Sequence, residues 1–328
     1  MRKLRKTLIQ TIALVTAALT MMAFAGCEGS DLSGVTKTPL IKVIVKNSNY
    51  DYWSVVKLGA EAAGKEFGVN VEYEGPTDER DIEGQIKMVQ EAIDQNADAI
   101  VLAASDYLKL VDVVEKAASV NIPVIIIDSE LKSDMVKSFI GTDNVIAGNK
   151  LGEALVQKVG EKCSIGIMNF VKGAGSAVQR EQGLLETLGK HKDIKILDKE
   201  YCSSSESLAQ QLTEKIIKEN PDIDAMVCLN ANATVGTSAA IEKLGLTGKV
   251  KVIGFDSIPE EVSYMEKGTI QALVIQKPFN MGYQGVKYAY EALQGRNIPS
   301  RIDTGSTVID MDNMYLPENQ KLVFPFAE

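Results

Sequence analysis

The stretch "DAIVLAASDYLKLVDVVEKAASVNIPVIIID", residues 98–128, decides the fold. Each end is a short β-rich run, apolar on both faces instead of alternating, the mark of a strand in a sheet covered by helices on each side. Between the runs, residues 107–120 carry a helical pattern. Pro123 stands at the entry of the second run, where a missing N–H costs little. Strand, helix and parallel strand form one βα repeat.

The same unit recurs outward in both directions. From Ile41 onward the runs "IKVIVK", "VNVEYE", "DAIVLAA", "PVIIID", "KSFIG", "CSIGIMNF", "IKILDKEY", "DAMVCL", "KVIGFD" and "QALVIQ" alternate with helical stretches such as 81–96 and 207–220. The alternation predicts an α/β protein with doubly wound parallel sheets. Ten strands are many for one such sheet, so two sheets of five or six are expected. The chain length also suits two domains. The break is placed near "IGTDNVIAGNKLG", residues 140–152.

The N-terminus has the layout of an export signal. Arg2, Lys3, Arg5 and Lys6 precede a mostly apolar run from Leu8 to Phe24, then "FAGC" leads to Cys27. That pattern resembles a lipoprotein signal, with Cys27 the lipidated first residue of the mature chain. An uncleaved membrane anchor is the rival reading. Residues 28–38 read as a tether of small and polar residues. Without residues 1–27 the 35 basic residues fall to 31 against 44 acidic ones, a net of −13. Such a body opposes nucleic acid, which needs a basic face to displace counterions.

Cys163, Cys202 and Cys228 remain, with no paired spacing. Cys163 and Cys228 fall in strand runs and read as small buried apolar residues, although one disulfide and a free thiol is a second possibility. The single histidine, His191, lies in polar "GKHKD". That argues against a metal site or a histidine-based triad, and no cofactor is expected.

Ligands of open parallel sheets bind beyond the carboxyl ends of the strands. Four apolar runs here end in a carboxylate or an amide: Asp128, Asn230, Asp256 and Gln276. Each could instead cap the next helix. For Asp256, the following "SIPEE" offers its own capping box between Ser257 and Glu260, which leaves the aspartate spare. After the first strand come Lys46 and the aromatic turn of Tyr50, Tyr52 and Trp53, the last being the sole tryptophan. Arg180 lies in "GAGSAVQREQG". The glycine–serine loop there is weak as a phosphate loop, lacking the GxxxxGK[ST] pattern, and Arg180 could be a solvated helix residue.

In order along the chain, "NIPVIIID", "IGTDNVIAG", "GSAVQREQG", "CLNANATVGTSAA", "VIGFDSIPE" and "ALVIQKP" resemble the ribose-binding-protein branch of the bacterial periplasmic sugar-binding proteins, the solute receptors of ABC importers. The resemblance implies a type I periplasmic binding protein fold, two α/β lobes joined by three crossings. It places one lobe at 39–143 plus 277–311 and the other at 144–276 plus 312–328. Sugar-hydroxyl ligands fall on Asp128, Arg180, Asn230, Asp256 and Gln276, and stacking aromatics on Tyr52 and Trp53. Asp143 and Asn144 stand at the first crossing. Ser129 departs from the ribose pattern, which has an arginine there, Tyr50 replaces an asparagine, and Lys46 matches arabinose-type relatives. These residues are therefore expected to set which sugar is bound.

The implied function is an exported, non-enzymatic, monomeric receptor for a monosaccharide, a pentose favoured over a hexose, that closes on its sugar and delivers it to an ABC permease. It is tethered at the membrane through Cys27. Presentation of the sugar to a membrane histidine kinase is the alternative partner. A glycosidase using Asp128 and Asp256 as acid and base, and a repressor of the same fold, are the other readings. An export signal and an acidic body oppose the repressor.

Overall fold

A computed structural model describes residues 37–324. Cys27, the export signal and the tether to residue 36 lie outside them. The chain begins β1 (Leu40–Ile44), α1 (Asp51–Phe67), β2 (Asn70–Glu74), α2 (Ile82–Asp94), β3 (Ala99–Leu102), α3 (Val111–Ser119), β4 (Val124–Ile127) and β5 (Ser138–Gly141). It then crosses to α4 (Asn144–Val159), β6 (Lys162–Asn169), α5 (Gly175–Leu188), β7 (Asp193–Tyr201), α6 (Glu206–Glu219), β8 (Ala225–Cys228), α7 (Ala231–Lys243), β9 (Lys251–Phe255), α8 (Pro259–Glu266) and β10 (Ile270–Ile275). A second crossing leads to α9 (Pro278–Leu293) and β11 (Arg301–Asp303), and a third to β12 (Thr307–Ile309) and α10 (Pro317–Val323).

The strands form two six-stranded sheets with one shared topology, β2-β1-β3-β4-β5-β11 and β7-β6-β8-β9-β10-β12. All pairings are parallel except β12, which runs antiparallel to β10. Two doubly wound lobes result. Apolar residues on both faces of the strands find partners on both faces of the sheet: Ile41, Val43, Ala99 and Val101 pack in one core cluster, Ile44, Ile100 and Leu102 in another.

Local signals set the helices. Asp81 caps α2 by accepting from the Gly84 N–H, Ser205 caps α6 by accepting from Leu208 N–H, and Gly68 ends α1 in the left-handed region. Residues 107–110, included in the expected helix, form a turn before α3.

Three expectations need correction. The ten strands read from sequence omit β11 and β12, three residues each, too short to show a pattern. Because β12 pairs with β10, the third crossing lies at 304–306 and the first lobe does not run to residue 311. The capping box before α8 is also shifted by one: the Ile258 N–H donates to Glu261 Oε2 at 3.0 Å, while Ser257 Oγ donates to the Val323 carbonyl. The peptide N–H that needs a partner belongs to the residue in extended backbone just before Pro259, and that is Ile258.

Asp303 ties two crossings together. Its Oδ1 accepts from Asp143 N–H at 3.0 Å and from Gly305 N–H at 2.8 Å. Asp143 in turn caps α4 through the Ile146 N–H.

In the first lobe α1 packs on α9 so closely that a Cβ on Gly282 would lie 2.0 Å from the Val56 carbonyl oxygen. Helix backbone cannot yield as a side chain can, so Gly282→Ala should lower stability by about 1–3 kcal/mol. Chemical unfolding of the variant would show this as a lower midpoint; an unchanged midpoint would mean that the helices slide apart freely.

Candidate functional site

The carboxyl ends of the two sheets face each other across a cleft. Its walls hold Lys46, Tyr50, Tyr52, Trp53, Glu79 and Asp128 from the first lobe, Phe170, Ser176, Arg180, Asn230, Asn232 and Asp256 from the second, and Gln276 at the second crossing. Its empty volume, open mouth included, is about 470 Å³.

Asp128 and Asp256 occupy equivalent places, each after the fourth strand of its sheet in the shared order. Both have positive φ, +61° and +80°, a region that aspartate tolerates better than bulkier residues. Neither caps the helix that follows it in the chain. Asp128 accepts from the Tyr52 hydroxyl at 2.8 Å and pairs with Lys46 at 2.9 Å. Asp256 accepts from Gln276 Nε2 at 2.6 Å and from Ala231 N–H at 3.2 Å. Burial pushes the Asp256 carboxyl up from its ordinary value, and Arg180 only partly opposes that. Burial and then Asp128 hold the Tyr52 hydroxyl well above its usual range, so it remains a donor.

Arg180 is not a solvated helix residue; it is 2% exposed. Nε donates to Asn144 Oδ1 at 2.8 Å and Nη1 to the Leu229 carbonyl at 2.9 Å. Its guanidinium lies 3.8 Å from the Phe255 ring centroid. These contacts employ two of the five N–H donors that a guanidinium carries. Asn230 caps α7, its Oδ1 accepting from Ala233 N–H, while its Nδ2 donates to Ser204 Oγ. Gln276 Oε1 is buried and has no hydrogen-bond partner.

The aromatic turn enters α1. Trp53 meets Tyr52 edge-to-face at 5.1 Å, and its Nε1 donates to Glu79 at 3.2 Å. Trp53 is also a member of the first lobe's core. Tyr50 donates its hydroxyl to the Ser204 carbonyl at 3.0 Å, and burial followed by Glu79 pushes it up to about 12.

Ser129 and Asn144 do not line the cleft. Ser129 Oγ accepts from Ser176 N–H of the other lobe at 3.3 Å, and Asn144 orients Arg180. The GAGS loop has a purpose unrelated to phosphate: a Cβ on Gly173 would stand 2.8 Å from Asp106 Oδ2, so the glycine lets the second lobe press against the first. Tyr107 N–H donates to the Gly173 carbonyl across that seam. Sequence reading missed Phe170, Glu79, Ser176 and Asn232. Phe170 follows β6 directly, so the strand-end rule could have found it; the others sit in loops and first helical turns without pattern. All three described cysteines are free and buried.

The model of the periplasmic binding protein domain matches residues 41–297, and the chain belongs to that family. A D-allose-binding periplasmic protein of Escherichia coli strain K12 is 28% identical over 295 residues, 87% of this chain and 91% of the relative. Two solved structures superpose along nearly their whole length. One is a carbohydrate transporter solute-binding protein from Agrobacterium radiobacter in complex with D-arabinose (TM-score 0.86, 32% identity, 88% of this chain and 99% of that one). The other is an ABC transporter solute-binding protein from Agrobacterium vitis with bound D-fucose (TM-score 0.85, 34% identity, 87% and 100%). The fold is thus that of the sugar-receptor type I periplasmic binding proteins.

Two substitutions test the electrostatics. Lys46→Met strands the Asp128 carboxylate, and unfolding should show a loss of about 3–5 kcal/mol, partly restored by adding Asp128→Asn. For Asp256 the folded carboxyl binds its proton more tightly than its ordinary 3.8. The folded chain therefore holds more protons in that window, and this group's contribution makes stability fall as pH rises through it. Asp256→Asn removes the contribution, so its stability relative to the unaltered protein should improve from acid to neutral pH; a pH-independent difference would contradict the assignment.

Proposed function

We propose that the chain is an exported receptor for a monosaccharide, a pentose favoured and a hexose possible on the same chemistry, that closes on its sugar and hands it to an ABC importer. The observation that carries this reading is a cleft whose polar groups are charged or amide, buried and shared between two lobes, with aromatic rings beside them. A carboxylate or guanidinium can bond two neighbouring hydroxyls, each charge-assisted bond contributing roughly 1.5–3 kcal/mol. Rings cover the C–H faces of a sugar without asking for hydrogen bonds. The unpartnered Gln276 Oε1 is an acceptor waiting for a hydroxyl.

In this reading Lys46, Tyr50, Tyr52, Trp53, Asp128, Arg180, Asn230, Asp256 and Gln276 contact the sugar. Ser129, Asp143 and Asn144 act from behind, at the lobe seam and the first crossing. Asp128 and Asp256 are fixed acceptors, each held by neighbours of its own lobe, which suits binding better than proton transfer in a hydrolase. Names of the relatives, transport proteins for sugars, favour import over presentation to a kinase. Cys27 would carry the lipid that keeps the receptor at the membrane, a reading supported by the sequence of residues 1–27.

A thermal-shift screen of the purified protein against D-ribose, D-arabinose, D-xylose, D-allose, D-fucose, D-glucose, inositol and maltose tests it. Binding to the folded state raises the melting temperature by mass action. At least one monosaccharide should give a concentration-dependent rise that Gln276→Leu diminishes; no rise with any of them would overturn the proposal.

A further inference from the structure

Glu79 lies in the loop between β2 and α2 and is 6% exposed. Its Oε1 accepts from Trp53 Nε1 within its own lobe. Its Oε2 accepts from Ser204 Oγ, of the opposite lobe, at 2.6 Å. Ser204 is a meeting point. Asn230 Nδ2 donates to its hydroxyl at 3.2 Å, and its carbonyl accepts both Tyr50 OH at 3.0 Å and Asn232 Nδ2 at 2.6 Å.

The backbone there is unusual. Ser203 and Ser204 are consecutive non-glycine residues with φ of +54° and +53°. Such conformations persist where surrounding contacts over-determine them and where function uses the geometry. Here the turn aims one residue's hydroxyl and carbonyl at the opposite lobe together.

We infer that Glu79 and Ser204 form a cross-cleft clasp in which Glu79 is a positioning residue: it fixes the polar edge of Trp53 and makes the second lobe's grip depend on that ring. The inference rests on the sugar-receptor reading. A sugar against Trp53 holds the ring, the ring holds Glu79, and Glu79 holds Ser204 and through it Asn230. A clasp made only after closure acts on escape of the ligand, not on its entry, which is where related complexes differ most.

Trp53 is the sole tryptophan, so its fluorescence reports the site directly. Stopped-flow binding of D-allose, D-arabinose and D-fucose would be compared in the unaltered protein, Glu79→Gln, Ser204→Ala and the double variant. For the sugars bound, each single variant should raise the dissociation rate about tenfold and leave the association rate within about twofold. The double variant should be no worse than the poorer single one, because the two share one interaction. The ligand-free Trp53 emission maximum should move in Glu79→Gln but not in Ser204→Ala. Additive effects in the double variant, or unchanged dissociation rates in both single variants, would overturn the clasp while leaving the receptor reading intact. Absence of binding of every sugar in the thermal-shift screen, the same stopped-flow comparison being run with whichever of them binds, would overturn the receptor reading and the clasp with it.

Discussion

Two aspartates held with positive φ, one at the end of β4 and one at the end of β9, are the constraint around which the cleft is arranged. Each is buried, 3% and 5% exposed, and is satisfied by neighbours of its own lobe. Asp128 takes Lys46 and Tyr52, and Asp256 takes Gln276 and a backbone N–H. Buried charge without such partners costs several kcal/mol, so the identity of the neighbouring side chains follows from the placement of these two. Arg180 obeys the same rule, clamped between Asn144, the Leu229 carbonyl and the Phe255 ring.

The shared strand order explains why both carboxylates arrive at the same place. Parallel strands bring all their carboxyl ends to one edge, and two lobes of like topology facing one another double that edge into a cleft. Contacts between the lobes assemble groups that no single lobe holds. Lys46 reaches Ser176, Tyr50 reaches Ser204, and Gln179 reaches Glu130 at 2.7 Å. A ligand bonded to both lobes favours the closed arrangement by its differential affinity, the ordinary condition for a hinge to respond.

Much of this was legible in the sequence because buried parallel strands write themselves as apolar runs. The residue ending such a run needs no structure to be placed. Asp128, Asn230, Asp256 and Gln276 were found that way, and all four line the cleft. What escaped reading lacks a period. Strands β11 and β12 are three residues long and flank the third crossing, so the lobe boundary expected at 311 falls past it. Glu79 and Asn232 owe their positions to tertiary packing alone. Asn144, Ser129 and the GAGS glycines were visible as polar or flexible residues, but their purpose, orienting Arg180 and seating one lobe on the other, exists only once the lobes meet.

If the cleft is a sugar site, a small ligand bonded to both lobes holds them together. Small-angle X-ray scattering of the protein without and with a saturating monosaccharide measures that directly. The radius of gyration should be smaller with sugar, and the sugar-bound profile should fit this arrangement of the two lobes. A radius unchanged by a sugar that demonstrably binds would contradict it.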